Sequence, residues 1–185
     1  MRIEKIPTGV KPPWDINVIV EVSLGGEPVK YEYDKDSGAI YVDRILHTSM
    51  RYPCNYGFIP HTLADDGDAV DVLVVTSEPI VPKAVMRCRP VGVLLMEDEE
   101  GMDEKVIAVP ADKLFPFHAT VSNYRDLPQI LLDQIAHFFG HYKDLEPNKW
   151  AKIQGWGTPE EACRLIEQAI EAYKEDKAKN PPKDD

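Results

Sequence analysis

The sequence predicts an α+β protein, a small and mostly antiparallel β-barrel or sheet covered by two C-terminal helices. Two observations carry this. Short runs with apolar alternation, separated by Pro- or acid-rich connections, dominate the first 110 residues, and the last third changes to helical spacing. At 185 residues, with 43% hydrophobic and 29% charged side chains, the chain has the length and balance of one globular domain with a sizeable core.

The first strand is expected over Ile16 to Val22, where Ile16, Val18, Val20 and Val22 alternate with Asn17, Ile19 and Glu21, the period of a half-buried strand. Glu21 then points away from the valine face. After the turn Gly25, Gly26, Glu27, Pro28, the run Val29 to Tyr33 places Lys30 and Glu32 on one side. Asp36, Ser37 and Gly38 signal a turn into a third run, Ala39 to Leu46, which carries Arg44, and the three runs together predict a meander. Further strands are expected over Val70 to Thr76, Ala84 to Met96 and Lys105 to Val109.

Leu131, Ile135, Phe138, Phe139 and Tyr142 recur at helical spacing, with Pro128 suited to a first turn. A second helix starts at Thr158, which forms a capping box with Glu161, and Ala162, Ile166, Ala169, Ile170 and Tyr173 make its apolar stripe. The charged end from Lys174, with Pro181 and Pro182, is expected to fray, leaving 176–185 as a tail after a domain over 1–175.

A net charge of −11 repels a phosphate backbone and leaves no basic stripe, so nucleic acid is not an expected partner. No apolar run approaches the roughly 18 residues of a membrane span, and no signal core opens the chain. Cys54, Cys88 and Cys163 are odd in number and lack CxxC spacing, which points away from disulfides and zinc sites. A cytoplasmic protein with no membrane partner is the expectation.

The densest chemical signal is Asp65, Asp66, Gly67, Asp68, Ala69, Val70, Asp71. Two carboxylates about 4 Å apart repel by roughly 4 kcal/mol at an effective dielectric of about 20, so converging aspartates favour a bound cation or raised pKa values. Hard oxygen ligands point to magnesium. An EF-hand is excluded, because a loop with Gly67 at its sixth position has Thr62 first and Leu73 twelfth. By spacing alone, DxDxxD reads equally well as a solvated acidic loop. The second acidic run, Glu97 to Glu104, reads by itself as a solvated hairpin loop, and Asp98 and Asp103 gain meaning only if the fold brings them beside Asp66 to Asp71. His137 and His141 stand four apart with no acidic or cysteine partner nearby in sequence, which favours helix packing or a subunit contact.

The order of these features resembles that of the soluble family I inorganic pyrophosphatases of bacterial type. The resemblance runs through Lys30–Asp34, Val42, Asp43, Arg44, then Tyr52, Pro53, Cys54, Asn55, Tyr56, Gly57, then the aspartate run, Arg87 to Val93, Asp98, Asp103, Lys105, and His137 to Lys143. One departure is Ala69, where the family's signature usually carries proline or glutamate.

The resemblance implies an OB-like barrel that hydrolyses pyrophosphate to two orthophosphates by direct in-line attack of a magnesium-activated water. It implies Asp68 as proton acceptor, Asp66, Asp71 and Asp103 as metal ligands, and Lys30, Arg44, Tyr56, Lys105, Tyr142 and Lys143 on the phosphoryl groups. Glu21, Glu32, Tyr52 and Asp98 would support them. Mn2+ or Zn2+ are possible substitutes for several Mg2+ ions, and a homo-oligomer, typically a hexamer, is implied. Two other readings compete with it. One is a broader metal-dependent phosphoesterase, the other a non-catalytic barrel that binds a divalent cation or a phosphorylated ligand.

Overall fold

The computed structural model describes residues 2–34 and 37–180. In chain order the strands are β1 (Ile16–Val22), β2 (Val29–Tyr33), β3 (Ile40–Ile45), β4 (Asn55–Phe58), β5 (Asp71–Val74), β6 (Val85–Asp98), β7 (Gly101–Met102), β8 (Lys105–Pro110) and β9 (Ala151–Gly157). Helix α1 (Gln129–His141) precedes β9 and α2 (Pro159–Lys179) follows it. β1 pairs β4, β4 pairs β5, β5 pairs β8, β8 pairs β6, and β6 pairs β1, so five strands form a ring. All of these pairs are antiparallel except β5–β8. The ring is not a strict barrel, because the far end of the 14-residue β6 leaves it to pair with β7 and β9.

The expected mostly antiparallel α+β architecture is present, with three corrections. The first three strands are not a meander: β1 lies in the ring, and β2 and β3 form a separate two-stranded sheet. Nor is β1 half-buried, since both its faces are covered. The helices are not consecutive either, because β9 runs between them along β6. Its sequence, AKIQGWG, carries two glycines and a bulge opposite Leu95 and Met96, which hides the alternation. The turn residue Asp36 lies outside the described residues. α2 continues through Lys174 to Lys179, where fraying was expected, and residues 181–185 are also outside the described set.

Burial on both faces follows from two layers. Leu73 of β5 and Ile107 of β8 face one cluster, with Leu132, Ile135, Phe138 and Phe139 of α1. Their neighbours Val72, Val74, Val106 and Ala108 face the other, against Ala162, Ile166 and Ala169 of α2. α2 starts where the sequence places it: the Thr158 hydroxyl accepts from the Glu161 N–H, and the Glu161 carboxylate accepts from the Thr158 N–H. No helix among the described residues is long and apolar enough to cross a membrane.

Two residues of the RYPCNYG segment set its position. Gly57 sits opposite Val20, and a Cβ there would come within 2.0 Å of the Ile19 carbonyl oxygen, so only glycine lets β4 approach β1 this closely. Asn55, fully buried, uses its whole hydrogen-bonding capacity. Its Oδ1 accepts from the Leu24 and Ile80 N–H groups at 2.9 and 2.8 Å, and its Nδ2 donates to Thr76 Oγ1 and the Glu78 carbonyl at 2.9 and 3.0 Å. One amide thereby ties two loops to the ring. Asn55→Ala leaves the part-buried Leu24 and Ile80 N–H groups without their acceptor at roughly 1–3 kcal/mol each, so urea unfolding should show a loss of about 2–6 kcal/mol. A loss under about 1 kcal/mol would mean that the loops hold without it.

Candidate active site

The aspartate loop is pegged from beneath. The buried Thr62 hydroxyl donates to the Ile59 carbonyl at 2.7 Å and accepts from the Val70 N–H at 3.0 Å, while the Ile59 N–H bonds the Val70 carbonyl. Above this peg, Ala64 N–H bonds the Asp68 carbonyl, and Asp66 Oδ1 accepts from the Asp68 N–H at 2.9 Å. Gly67, at φ +91°, supplies the left-handed conformation that the turn requires. Asp66 and Asp68 are exposed at the tip, and Asp71 opens β5. Ala69 is tucked against the cluster of Ile3, Ile19, Tyr33 and Phe58, so the small side chain packs inward.

The parallel β5–β8 pair brings the second acidic run to this loop. Val72 lies beside Val106, so the residues preceding them, Asp71 and Lys105, are neighbours although 34 positions apart. The Lys105 ammonium, almost fully buried, bonds both Asp71 Oδ2 and Asp103 Oδ1. Burial opposes its charge, but the two carboxylates outweigh that and hold its pKa above the ordinary lysine value. The Asp103 carboxyl is raised as well, which favours its neutral form: burial is the main cause, and Asp71 adds to the rise.

The β2–β3 hairpin forms one wall. Lys30 lies opposite Arg44, and Tyr31 opposite Val42, which leaves Asp43 as the bulged residue. Strict alternation would send Asp43 and Arg44 to opposite faces, yet both line the cavity. Asp43 Oδ2 is 3.3 Å from Lys30 Nζ, which also pairs with Glu32. Burial would lower the Lys30 ammonium, but these carboxylates raise it. Glu21 reaches the cavity by the same device, standing at the register shift between Val20 and Val22 of β1. Burial pushes its carboxyl up to about 8, despite the Tyr33 N–H that it accepts at 2.7 Å.

The opposite wall follows α1. Lys143, buried, donates to Asp98 Oδ2 at 2.7 Å and lies 3.3 Å from both oxygens of Glu99, which also pairs with Lys149. Burial raises the Asp98 carboxyl, but Lys143 and the Glu100 N–H reverse this and leave it lowered. Arg44 crosses to this wall at 3.3 Å from Glu146 Oε2, with its guanidinium 5.7 Å from the Tyr142 ring centroid. Its Nε, buried, makes no hydrogen bond and lies 3.9 Å from Asp43. Tyr52 packs against Tyr56 and Phe138 at 5.3 and 4.7 Å, and burial raises the phenols of Tyr52, Tyr56 and Tyr142, that of Tyr52 to about 12, so each keeps its proton.

All fourteen residues singled out from the sequence line one cavity of about 290 Å³: Glu21, Lys30, Glu32, Arg44, Tyr52, Tyr56, Asp66, Asp68, Asp71, Asp98, Asp103, Lys105, Tyr142 and Lys143. Asp43, Glu100 and Lys149 line it too, and Glu99 and Glu146 brace its cations. The acidic run 97–104 is therefore not simply a solvated loop. His141, read as lacking an acidic neighbour, has Asp144 at 2.8 Å, and both lie outside the cavity. Its polar lining is carboxylates, phenols, lysines and an arginine, a hard-oxygen donor set suited to Mg2+. No group of three His, Cys, Asp or Glu among the described residues stands ready to hold a metal, and Lys105 bridges two of the three expected ligands.

The family model for inorganic pyrophosphatase matches residues 18–174. The inorganic pyrophosphatase of Caulobacter vibrioides is 61% identical over 95% of this chain and 99% of its own, and that of Rhodospirillum rubrum 60% over 93% and 96%. Among solved structures, the inorganic phosphatase of Anaplasma phagocytophilum superposes with a TM-score of 0.90 at 51% identity, covering 92% of this chain and 99% of that one. The inorganic pyrophosphatase of Helicobacter pylori gives 0.88 at 48%, with the same coverage. With a family match over most of its length and relatives near 60% identity, the chain that builds this cavity belongs to the inorganic pyrophosphatase family.

Proposed function

We propose that the chain hydrolyses pyrophosphate to two orthophosphates in a magnesium-dependent reaction, by direct attack of water. One observation carries this reading. Among the described residues, nine carboxylates line the cavity against five cationic side chains, so a polyanion would enter with cations of its own. At about 290 Å³ the cavity lies at the lower limit of small-molecule sites, roughly 300 Å³, which suits a substrate of pyrophosphate's size.

Asp66, Asp71 and Asp103 would hold magnesium, with Mn2+ or Zn2+ as possible substitutes. Bound there, the metal lowers the pKa of water and neutralises charge on phosphoryl oxygens. The remaining steps belong to side chains. Lys30, Arg44, Lys105 and Lys143 grip the two phosphoryl groups, and the Arg44 guanidinium keeps donor capacity to spare, since its Nε has no hydrogen-bond partner among the described residues. Tyr56 and Tyr142 keep their protons and so donate hydrogen bonds to phosphate oxygens. Among the described residues, neither serine, threonine, cysteine nor histidine lines the cavity, which favours water as the nucleophile. Asp68, exposed at the loop tip with its N–H held by Asp66, accepts the proton. Glu32, Asp98 and Tyr52 orient the gripping groups.

The buried, unpaired state of all three cysteines supports a reducing, cytoplasmic setting. Exposed Leu114, Phe117 and Ile130 support a homo-oligomer, a hexamer by resemblance.

Asp68→Asn should lower turnover by about 100-fold or more with the fold intact, since general-base help is worth about 10²–10⁴. Near-normal turnover would remove Asp68 from that role. Phosphate release from pyrophosphate, ATP and a simple phosphomonoester, each with magnesium and with EDTA, separates the readings. We expect release from pyrophosphate only, and only with magnesium. Comparable release from the monoester would indicate the broader phosphoesterase, and none at all a binding module.

Glu21 gives a pH test in metal-free protein. Its folded value of about 8 exceeds the ordinary 4.5, so the stability of its protonated form is fully present below pH 4.5 and is lost as pH rises to 8. Glu21→Gln keeps the acceptor for Tyr33 and removes the loss. Relative to the native chain, its unfolding free energy in EDTA should rise by about 3–5 kcal/mol between pH 5 and 8. A constant difference would place the carboxyl at its ordinary value.

A further inference from the structure

The β2–β3 hairpin carries Lys30, Glu32, Asp43 and Arg44 into the cavity, yet among the described residues no backbone ladder joins it to the ring. Side chains hold it. At its base Arg44 meets Glu146, and Arg51 Nη1 donates to the Gly25 and Gly26 carbonyls at 3.0 and 3.2 Å. Midway, Tyr33 N–H donates to Glu21. At the tip, Lys83 Nζ donates to the Gly38 carbonyl at 3.0 Å and stands 5.8 Å from the Tyr33 ring centroid.

The backbone of Lys83 makes this last contact unusual. Val81, Pro82, Lys83 and Ala84 form a turn closed by Ala84 N–H on the Val81 carbonyl at 3.2 Å, with Pro second and a φ of +72° at Lys83. Pro followed by a positive φ marks a type II turn, whose third position calls for glycine. A lysine there strains the main chain. Its N–H bonds the Val20 carbonyl at 2.7 Å, one residue from Glu21, so the turn is fixed to the ring. From that fixed point the half-buried side chain spans to the hairpin tip.

We propose that Lys83 is a positioning residue, a strap that pins the substrate-gripping hairpin to the ring at the expense of backbone strain in its own turn. The inference rests on the pyrophosphate reading for its kinetic consequence but not for its structural one. Without the strap, the hairpin keeps its Tyr33 anchor but loses its tip contact, and Lys30 and Arg44 spend less time in position to grip an anion.

Lys83→Gly separates the strap from simple stability, because glycine relieves the strained turn while removing the ammonium. We expect its Tm to equal or exceed that of the native chain. Hydrogen exchange across residues 29–45 should quicken, and KM for pyrophosphate should rise about 3- to 10-fold with kcat within about twofold, the scale of one lost hydrogen bond with a cation–π contact. Lys83→Met, which keeps the strain, should show the same KM at a lower Tm than Lys83→Gly, and Lys83→Arg should restore native KM and exchange. Native KM and exchange in Lys83→Gly would overturn the proposal. So would a fall in kcat that tracks a lower Tm. If the native protein released no phosphate from pyrophosphate, the function would be wrong, and exchange across the hairpin would still decide the strap.

Discussion

The parallel pairing of β5 with β8 is the constraint on which the site depends. It is the one parallel contact in the ring, and it alone sets Asp71 beside Lys105 and Asp103. An antiparallel partner there would run Lys105 away from the aspartate loop. Once the pairing is made, a buried ammonium lies between two carboxylates, and its charge is retained because each acid lowers the cost of burying it. The rest of the lining accumulates around this point, and the carboxylate excess of the cavity is measured from it.

That excess is tolerable because most of the acids, Glu32 and Asp43 on the hairpin excepted, sit on the stiff part of the molecule. Glu21 stands on β1, Asp71 on β5, Asp98 at the end of β6 and Asp103 between β7 and β8, all tied to the ring. Asp66 and Asp68 occupy a turn pegged by Thr62. Like charges held on a rigid frame cannot relax by moving apart, so they respond by pKa shift or by cation uptake. Glu21 and Asp103 show the first response in their raised carboxyls, for which burial is the larger cause. The proposed magnesium would be the second.

Much of this was legible in the sequence, and the misses have physical causes. The residue types, their order, both helices and the cap of α2 were readable because a capping box and a 3.6-residue stripe are local signals. Asp43 was passed over because a bulge breaks the alternation that sorts strand residues by face, and β9 because its glycines and bulge do the same. The ring itself was not legible, since β1 finds its partners in β4 and β6 far along the chain rather than in the next strand. The RYPCNYG segment divides its residues between two purposes. Of its members, Tyr52 and Tyr56 reach the cavity, whereas Asn55 and Gly57 serve packing and loop anchorage.

Placement of the cations completes the logic. Lys105 apart, the cavity's positive groups stand on elements joined to the ring by side chains or short links: Lys30 and Arg44 on the hairpin, Lys143 and Lys149 on the segment after α1. Each is braced by an acid, Lys30 by Glu32 and Asp43, Arg44 by Glu146, Lys143 by Asp98 and Glu99. Such pairs are exchangeable, because a phosphate oxygen offers an ammonium what a carboxylate oxygen does, with more charge. With most acids on the ring and the gripping cations held in such pairs, an anion can take the place of a carboxylate as it binds and yield to it as the products leave. An inverted arrangement, with rigid cations and mobile acids, would bind phosphate and hold it.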